Sequence, residues 1–313
     1  MAPIISTFGS GSARGFGRAQ SVLFKFSDFT SVTFTPGGNT GRTGPSLSQV
    51  QSGITASPDD SWKNDTQFLD VSGGIIEWSV PISGTYKIKA RGGRGGRDRV
   101  PGNAAVMEGD FSLSEGDKLK ILVGQRGTPD EKEGDAAGGG GGTFVTLIDN
   151  TPLIIAGGGG GADGTDDASD ASTGEDGVDS GAGTAGGTNG FGGDGDSSGG
   201  AGGGGLLGNG ENGGTSSVQG GDAFVNGGLG GDGLLGQNNN LGTEGGFGGG
   251  GAGAGGSAGG GGGGGYSGGG GGDSNTGPNA GGGGSFNSGT NQSNSIFSDS
   301  SNPYDGYVEI TLL

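Results

Sequence analysis

The sequence predicts an all-β protein, a β-sandwich that carries a long glycine-rich insertion. About ten short segments are rich in β-branched and aromatic residues, and no segment has the apolar spacing of a helix. A glycine field, Gly138–Gly284, follows most of these segments, and only one strand-like segment, Gly306–Leu313, comes after it. We therefore assign residues 21–137, 143–156 and 306–313 to the sandwich. Residues 138–142 and 157–305 form the glycine-rich part.

The N-terminal region begins with a segment that has no strand pattern. Residues 1–20 are rich in Gly and Ser, which is typical either of a flexible tail or of an arm that attaches to a partner. Val22–Phe26 and Ser31–Phe34 then have strand composition, and Pro36–Asn39 predicts a turn. Residues 39–66 are polar and irregular, so no element is predicted there.

The remaining strands are predicted from alternation and from the turn residues between them. In Thr85–Ala90 the apolar residues alternate with lysines, which indicates one buried and one solvated face. Val308, Ile310 and Leu312 alternate in the same way in the last strand. Segments 67–71 and 75–80 are predicted to be strands that flank Ser72–Gly74. Two hairpins are predicted, 104–113 with 118–123 and 143–148 with 153–156.

The glycine field is predicted to be ordered rather than disordered. Glycine plus proline account for 100 of the 313 residues, a composition that often signals disorder. However, the strands of the 143–156 hairpin lead directly out of one glycine run and into another. Lys, Glu, Gln and Pro, which usually fill disordered tails, are scarce after residue 133. Because glycine runs have only backbone groups to offer, an ordered field requires that each buried N–H and C=O finds a partner.

Composition excludes several classes of function. The chain has no Cys and no His, so it lacks thiolate metal sites, disulfides and the commonest general base. Residues 133–313 contain 20 acidic and no basic residues, which argues against nucleic-acid binding. No apolar run approaches the roughly 20 residues that span a bilayer, and no secretory signal pattern is recognised at the N-terminus. Gly181–Gly186 satisfies G-x-G-x-x-G, but chance matches are expected in so glycine-rich a stretch. No P-loop is present, so no cofactor is predicted.

Six motifs, in this order along the chain, resemble the glycine-rich module in the ectodomains of anaplastic lymphoma kinase and leukocyte tyrosine kinase. They are Gly41–Leu47, Ile76–Pro81, Gly84–Ala90, Lys120–Gln125, Gly138–Val145 and Leu153–Gly157. The resemblance implies a TNF-like β-sandwich with an inserted bundle of polyglycine II helices. Such helices have three residues per turn and bond to their neighbours rather than internally, like the packed chains of collagen. The kinase modules contain cysteines and this chain does not. Their cytokine-binding role is not carried over, because no matching ligand-contact residues can be mapped onto this sequence.

In composition and expected architecture the chain is also similar to the tail-fibre tip adhesins of T-even-type phages. Those proteins use polyglycine II bundles whose end loops touch the host. This similarity implies a non-enzymatic virion protein, a tail fibre or receptor-binding adhesin, that recognises a host-surface glycan or protein. Its N-terminal segment would join other virion proteins, and a homotrimer is possible. The alternatives are a secreted or cell-surface binding module and a capsid decoration protein.

The candidate receptor contacts are apolar and amide residues between glycine runs. The leucine pairs and the asparagines beside one pair resemble loop tips, which could be binding surfaces or buried caps. They are Leu206, Leu207, Leu234, Leu235, Asn238, Asn239 and Asn240.

Two weaker candidate sites are charged. Arg91, Arg94, Arg97 and Arg99 could contact an anionic ligand, or they could pair with the acidic half of the chain or with a neighbouring subunit. Asp163, Asp166, Asp167 and Asp170 are hard oxygen ligands at short spacing and form a weak Ca²⁺ candidate. No EF-hand pattern is present, and a solvated acidic loop is the alternative.

Overall fold

In a computed structural model, the described residues of the protein form two antiparallel β-sheets of six strands each. The structure describes residues 29–96, 100–128, 136–163, 167–181, 183–214, 218–233, 243–255, 259–273, 280–298 and 304–313. The predicted N-terminal segment, residues 1–20, and the predicted strand Val22–Phe26 lie outside these ranges.

The strands are numbered in chain order. They are β1 (Ser31–Phe34), β2 (Thr55–Ser57), β3 (Leu69–Ser72), β4 (Ile75–Ser79), β5 (Gly84–Arg91), β6 (Ala105–Leu113), β7 (Lys118–Leu122), β8 (Thr143–Leu147), β9 (Pro152–Ala156), β10 (Phe286–Asn287), β11 (Thr290–Ile296) and β12 (Tyr307–Leu312). The first sheet has the order β11-β6-β5-β12-β1-β2, and the second has the order β10-β9-β8-β7-β4-β3.

One hydrophobic core includes side chains from both sheets. Tyr86 and Ile88 belong to it from the first sheet, and Trp78, Ile121 and Val145 belong to it from the second. On β5 the predicted alternation is confirmed, since Tyr86, Ile88 and Ala90 are buried while the lysines between them are only half-buried. The all-β prediction is therefore confirmed, with two sheets sharing one core.

Two short helices lie in the region that was expected to be irregular. Helix α1 (Leu47–Gly53) begins at Ser46, whose side chain accepts a hydrogen bond from the Gln49 N–H while the Gln49 side chain bonds back to the Ser46 backbone. This is a capping box, which satisfies backbone donors at a helix start. A 3₁₀ turn, Ser61–Asn64, buries Trp62. The expectation of no element between residues 39 and 66 was wrong because α1 is too short to show a helical apolar period.

The predicted hairpin between segments 104–113 and 118–123 was also wrong. β6 pairs with β5 and β11, whereas β7 pairs with β4 and β8 in the other sheet. Leu113 and Leu119, on either side of the turn, both enter the shared core. The connection therefore crosses from one sheet to the other. The other predicted hairpin is confirmed as β8–β9, and the two strands predicted to flank Ser72–Gly74 pair with each other as β3 and β4.

Two further strands, β10 and β11, lie inside the range 157–305 that was assigned to the glycine-rich part. β11 is a polar strand at the edge of the first sheet, and all of its residues except Ile296 are exposed. A strand without apolar alternation gives no periodic signal, so the sequence did not predict it.

The glycine segments bond to one another with a period of three residues. Along residues 136–142, successive N–H groups donate in rotation to three different neighbouring segments at 2.8–3.3 Å. Positions three apart share a neighbour: Ala137 and Gly140 donate to Ala162 and Gly159, Gly138 and Gly141 to Thr128 and Gln125, and Gly139 and Gly142 to Gly251 and Gly248.

These segments run between the second sheet and the opposite end of the glycine-rich part, some leading away from the sheet and others leading back to it. β7 and β9 continue directly into residues 123–128 and 157–163, and residues 136–142 and 280–285 lead back into β8 and β10. We call the end next to the second sheet the root and the opposite end the far end. Inter-segment bonds place Gly142 and Gly248 at the root, and place Val218, Gly233 and Gly253 at the far end.

Candidate functional site

Leu206 is buried at the root, so the structure gives it the position of a cap and not of a surface contact. It is 4% exposed and belongs to a cluster with side chains from β7, β8 and β9. The buried members of the cluster are Leu122, Phe144, Ile155, Leu206, Phe224 and Phe247. The prediction that Leu206 contacts a receptor is therefore corrected: its turn folds against the second sheet, where burial of the side chain removes apolar surface from water.

Leu207 points the other way and is 51% exposed. Its N–H donates to the Gly190 carbonyl at 2.7 Å, which brings its turn beside that of Phe191, and Phe191 is 58% exposed. The next turn contributes Val225, which is 40% exposed and whose N–H donates to the Leu206 carbonyl at 3.2 Å. Exposed apolar side chains thus project from three neighbouring root turns, and Val225 is one that the sequence analysis did not single out.

A polar network fixes two of these turns. The side-chain oxygen of Asn209 accepts hydrogen bonds from the Ala223 N–H at 2.8 Å and from the Asn226 amide at 2.7 Å. The Asn209 amide nitrogen donates to Asp222 at 2.9 Å. Burial raises the pKa of Asp222, and the charge of Arg42 opposes this shift.

Leu234, Leu235, Asn238, Asn239 and Asn240 lie outside the described residues. The described chain on either side of them ends at Gly233 and resumes at Thr243. Gly233 bridges to Val218, and Thr243 bridges to Gly253. Both flanking residues are therefore at the far end of the glycine-rich part.

The two described arginines of the candidate anion site contact groups of this chain. Arg91 is 4% exposed, its guanidinium lies 4.5 Å from the Phe297 ring centroid and 4.9 Å from that of Tyr307, and it donates to the Asp305 carbonyl. Burial lowers the pKa of Arg91. Arg94 lies 5.7 Å from the Tyr304 ring centroid. Arg97 and Arg99 lie outside the described residues.

Asp305 lies beside Arg91 and Arg126, where the sheets meet the glycine-rich part; we call this region the junction. Its Oδ1 accepts the Arg126 N–H at 2.9 Å. Burial raises the pKa of the Asp305 carboxyl, against the opposing effects of that hydrogen bond and of the Arg126 and Arg91 charges.

Asp163, Asp167 and Asp170, the described members of the calcium candidate, do not form one metal site. Asp163 is 1% exposed, whereas Asp167 and Asp170 are on the surface. Asp170 accepts the Asn103 N–H at 2.7 Å, and Asp166 lies outside the described residues. Within the described ranges, no group of three acidic side chains is close enough to hold a metal ion.

A polar cleft of about 220 Å³ lies where the loop before α1 meets the glycine-rich part. Its lining residues are Thr40, Gly41, Arg126, Thr128 and Glu244. Sequence inspection missed it because the charged residues are separated by 118 positions and meet only through folding.

No protein-family model matches this sequence. Among the residues that the structure describes, no helix has the length and apolar character needed to cross a membrane.

Proposed function

We propose that this chain is a non-enzymatic phage virion protein, a tail fibre or receptor-binding adhesin. In this proposal a TNF-like β-sandwich holds a bundle of polyglycine II helices, and the bundle presents loops to a host-surface glycan or protein. Residues 1–20 join other virion proteins, and the assembly is a homotrimer on the virion surface. The observation that carries the proposal is the rotation of hydrogen bonds, with a period of three, among glycine segments that continue from the second sheet.

Two features support the polyglycine II interpretation. A three-residue period of bonds to separate neighbours is what a helix with three residues per turn requires when it has no internal hydrogen bonds. The segments also approach too closely for side chains: a β-carbon placed on Gly139 would lie 2.1 Å from the Gly262 carbonyl oxygen. Two six-stranded antiparallel sheets over one core are compatible with the TNF-like sandwich that the sequence resemblance implies.

The arrangement suits presentation of loops at a distance. Rows of backbone hydrogen bonds between buried segments make a stiff support, and ligand-binding residues commonly lie on loops that a rigid scaffold positions. The far-end connection between Gly233 and Thr243 contains Leu234, Leu235 and Asn238–Asn240, which we propose as the receptor contacts. A few apolar anchors of this kind usually carry most of the binding energy.

The test is adsorption of purified protein to candidate host cells. We expect the double variant Leu234→Ser, Leu235→Ser to lose adsorption while its circular dichroism and melting temperature stay unchanged. Leu313→Ser, at a leucine that is 64% exposed in the sandwich, is the matched control and should adsorb normally.

Two results would contradict this proposal. Full adsorption by the folded double variant would remove the far-end leucines from the receptor contact. A protein that binds no cell but co-purifies with capsids would be a decoration protein instead of an adhesin.

A further inference from the structure

We propose that the polar cleft between Arg126 and Glu244 binds one sugar unit of a glycan. This inference rests on the proposed adhesin function and names the chemistry of a second contact, separate from the far-end loops. Three separate parts of the chain build the cleft: Thr40 and Gly41 before α1, Arg126 and Thr128 after β7, and Glu244 in the glycine-rich part.

The cleft walls are fixed by backbone bonds. The Thr128 N–H donates to the Glu244 carbonyl at 3.0 Å, and the Phe247 N–H donates to the Gly41 carbonyl at 2.8 Å. The Arg126 N–H is held by Asp305 at 2.9 Å, and its guanidinium lies 5.8 Å from the Tyr304 ring centroid. Preorganised walls reduce the entropy that a ligand must overcome on binding.

Arg126 and Glu244, the two charged residues of the cleft, do not form an ion pair with each other. The ion pairs of the described residues join Arg42 to Asp232, Lys63 to Asp60, Lys87 to Glu108 and Lys118 to Glu77. Arg126 and Glu244 are not among them, although both line the same cleft. Within the described residues, one wall therefore offers charged donors and the other offers a charged acceptor, and neither is engaged in an ion pair.

Neighbouring sugar hydroxyls match such a pair of walls. A hydroxyl both donates and accepts, so one hydroxyl can donate to Glu244 while the next accepts from Arg126. Hydrogen bonds to charged groups are among the stronger ones in proteins. A cleft of about 220 Å³ is smaller than typical pockets for drug-sized ligands, so it admits a single small unit and not an extended chain. A simple anion fits poorly because Glu244 would repel it.

A second polar cleft provides a comparison within the same molecule. It also measures about 220 Å³ and lies on the outer face of the first sheet, lined by Lys87, Lys89, Glu108, Glu309 and Thr311. There Lys87 pairs with Glu108 at 3.0 Å, so its charges are partly satisfied inside the protein. Lys89 and Glu309 also line this second cleft, so it serves as the internal control for the Arg126 cleft.

The test is saturation-transfer NMR on the full chain with methyl glucoside, methyl galactoside, methyl mannoside and N-acetylglucosamine as probes. We expect at least one sugar to receive saturation from the wild type. We expect Glu244→Gln and Arg126→Gln each to weaken its affinity by about tenfold or more, since each removes a charged hydrogen-bond partner. Glu309→Gln, in the comparison cleft, should leave the affinity unchanged. Glu244→Gln is the decisive variant, because loss of the Arg126 contact to Tyr304 could also disturb the fold.

The outcomes test the sugar site and the adhesin function separately. Absence of saturation on every sugar, or equal signals from wild type and Glu244→Gln, would overturn the sugar site even if the protein adsorbs to cells through its far-end loops. Free glycine is added as a further probe, and its saturation in place of the sugars would show a zwitterion site and would also overturn the inference. Sugar binding that depends on Glu244, in a protein that adsorbs to no host cell, would support the cleft while contradicting the adhesin.

Discussion

The ring of Phe144 in β8 stacks on the ring of Phe224 in the glycine-rich part, with centroids 5.0 Å apart and planes 23° apart. Both rings are buried, and they lie in the cluster at the root. Aromatic pairs in this offset range contribute beyond their buried area, and burial of such large side chains is a main source of stability. The glycine segments themselves have almost no side chains to bury, so their attachment to the sandwich depends on this root cluster.

Phe224→Ala is expected to destabilise the protein by about 3–5 kcal/mol, because it deletes a buried aromatic ring and leaves a cavity. The measurement is chemical denaturation followed by circular dichroism. Phe191→Ala is the matched control, since Phe191 is the same residue type in a neighbouring root turn but is 58% exposed. Equal destabilisation by the two variants would show that the root cluster does not hold the glycine-rich part.

Gly262→Ala is expected to lower the melting temperature clearly. A β-carbon on Gly262 would lie 2.1 Å from the Gly269 carbonyl oxygen, so two segments would have to separate. Overpacking of this kind costs about 1–3 kcal/mol. Gly174→Ala is the control, because Gly174 is exposed and its added β-carbon would come no closer than 3.4 Å to another group, the Ser172 hydroxyl. Similar melting temperatures for both variants would mean that the segments are not packed as described.

Hydrogen exchange should show slow amides along residues 137–142. Each of these N–H groups donates to a neighbouring segment, and each residue is buried. Exchange therefore requires separation of whole segments, which makes it as rare as global or near-global unfolding. The amides of Thr173 and Glu175, at exposed positions, should exchange much faster. Fast exchange throughout residues 137–142 would contradict the ordered glycine-rich part.

The sequence predicted most of the sandwich because its strands alternate. β5 and β12 place apolar residues on one face, so the period-two pattern was enough to find them. β11 was missed because its polar residues face solvent at a sheet edge, and α1 was missed because seven residues are too few for a helical period. The cross-sheet turn after Leu113 was mistaken for a hairpin because local sequence does not specify which sheet the next strand joins.

The candidate site was harder to predict from the sequence. Leu206 and Leu207 are adjacent and chemically identical, yet one is 4% and the other 51% exposed, a difference set by the turn that they share. Arg91 was predicted to contact an anionic ligand, the acidic half of the chain or a neighbouring subunit, but β5 carries it into the junction beside Phe297 and Tyr307. Arg126 and Glu244 meet only because their segments are bonded to each other in the folded chain, which no local pattern reveals.

Asp305 and Asp149 are expected to change stability with pH in opposite directions. Ionisation of Asp305 lowers the stability, whereas ionisation of Asp149 raises it. Burial raises the folded-state pKa of Asp305, so its ionised form costs stability as pH rises through that pKa, and Asp305→Asn should raise the melting temperature at pH 7. This gain should fade in acid, below the unfolded pKa of about 4. Asp149 is the counterpart: hydrogen bonds from Thr151 lower its pKa, so Asp149→Asn should reduce the melting temperature at pH 7, and the loss should shrink in acid. Thermal melts of both variants from pH 3 to pH 8 provide the measurement, with wild type at each pH as reference. If Asp305→Asn lowered the melting temperature at pH 7, the attraction of the Arg91 and Arg126 charges for the carboxylate would outweigh its burial, and the junction would be stabilised by that ion cluster.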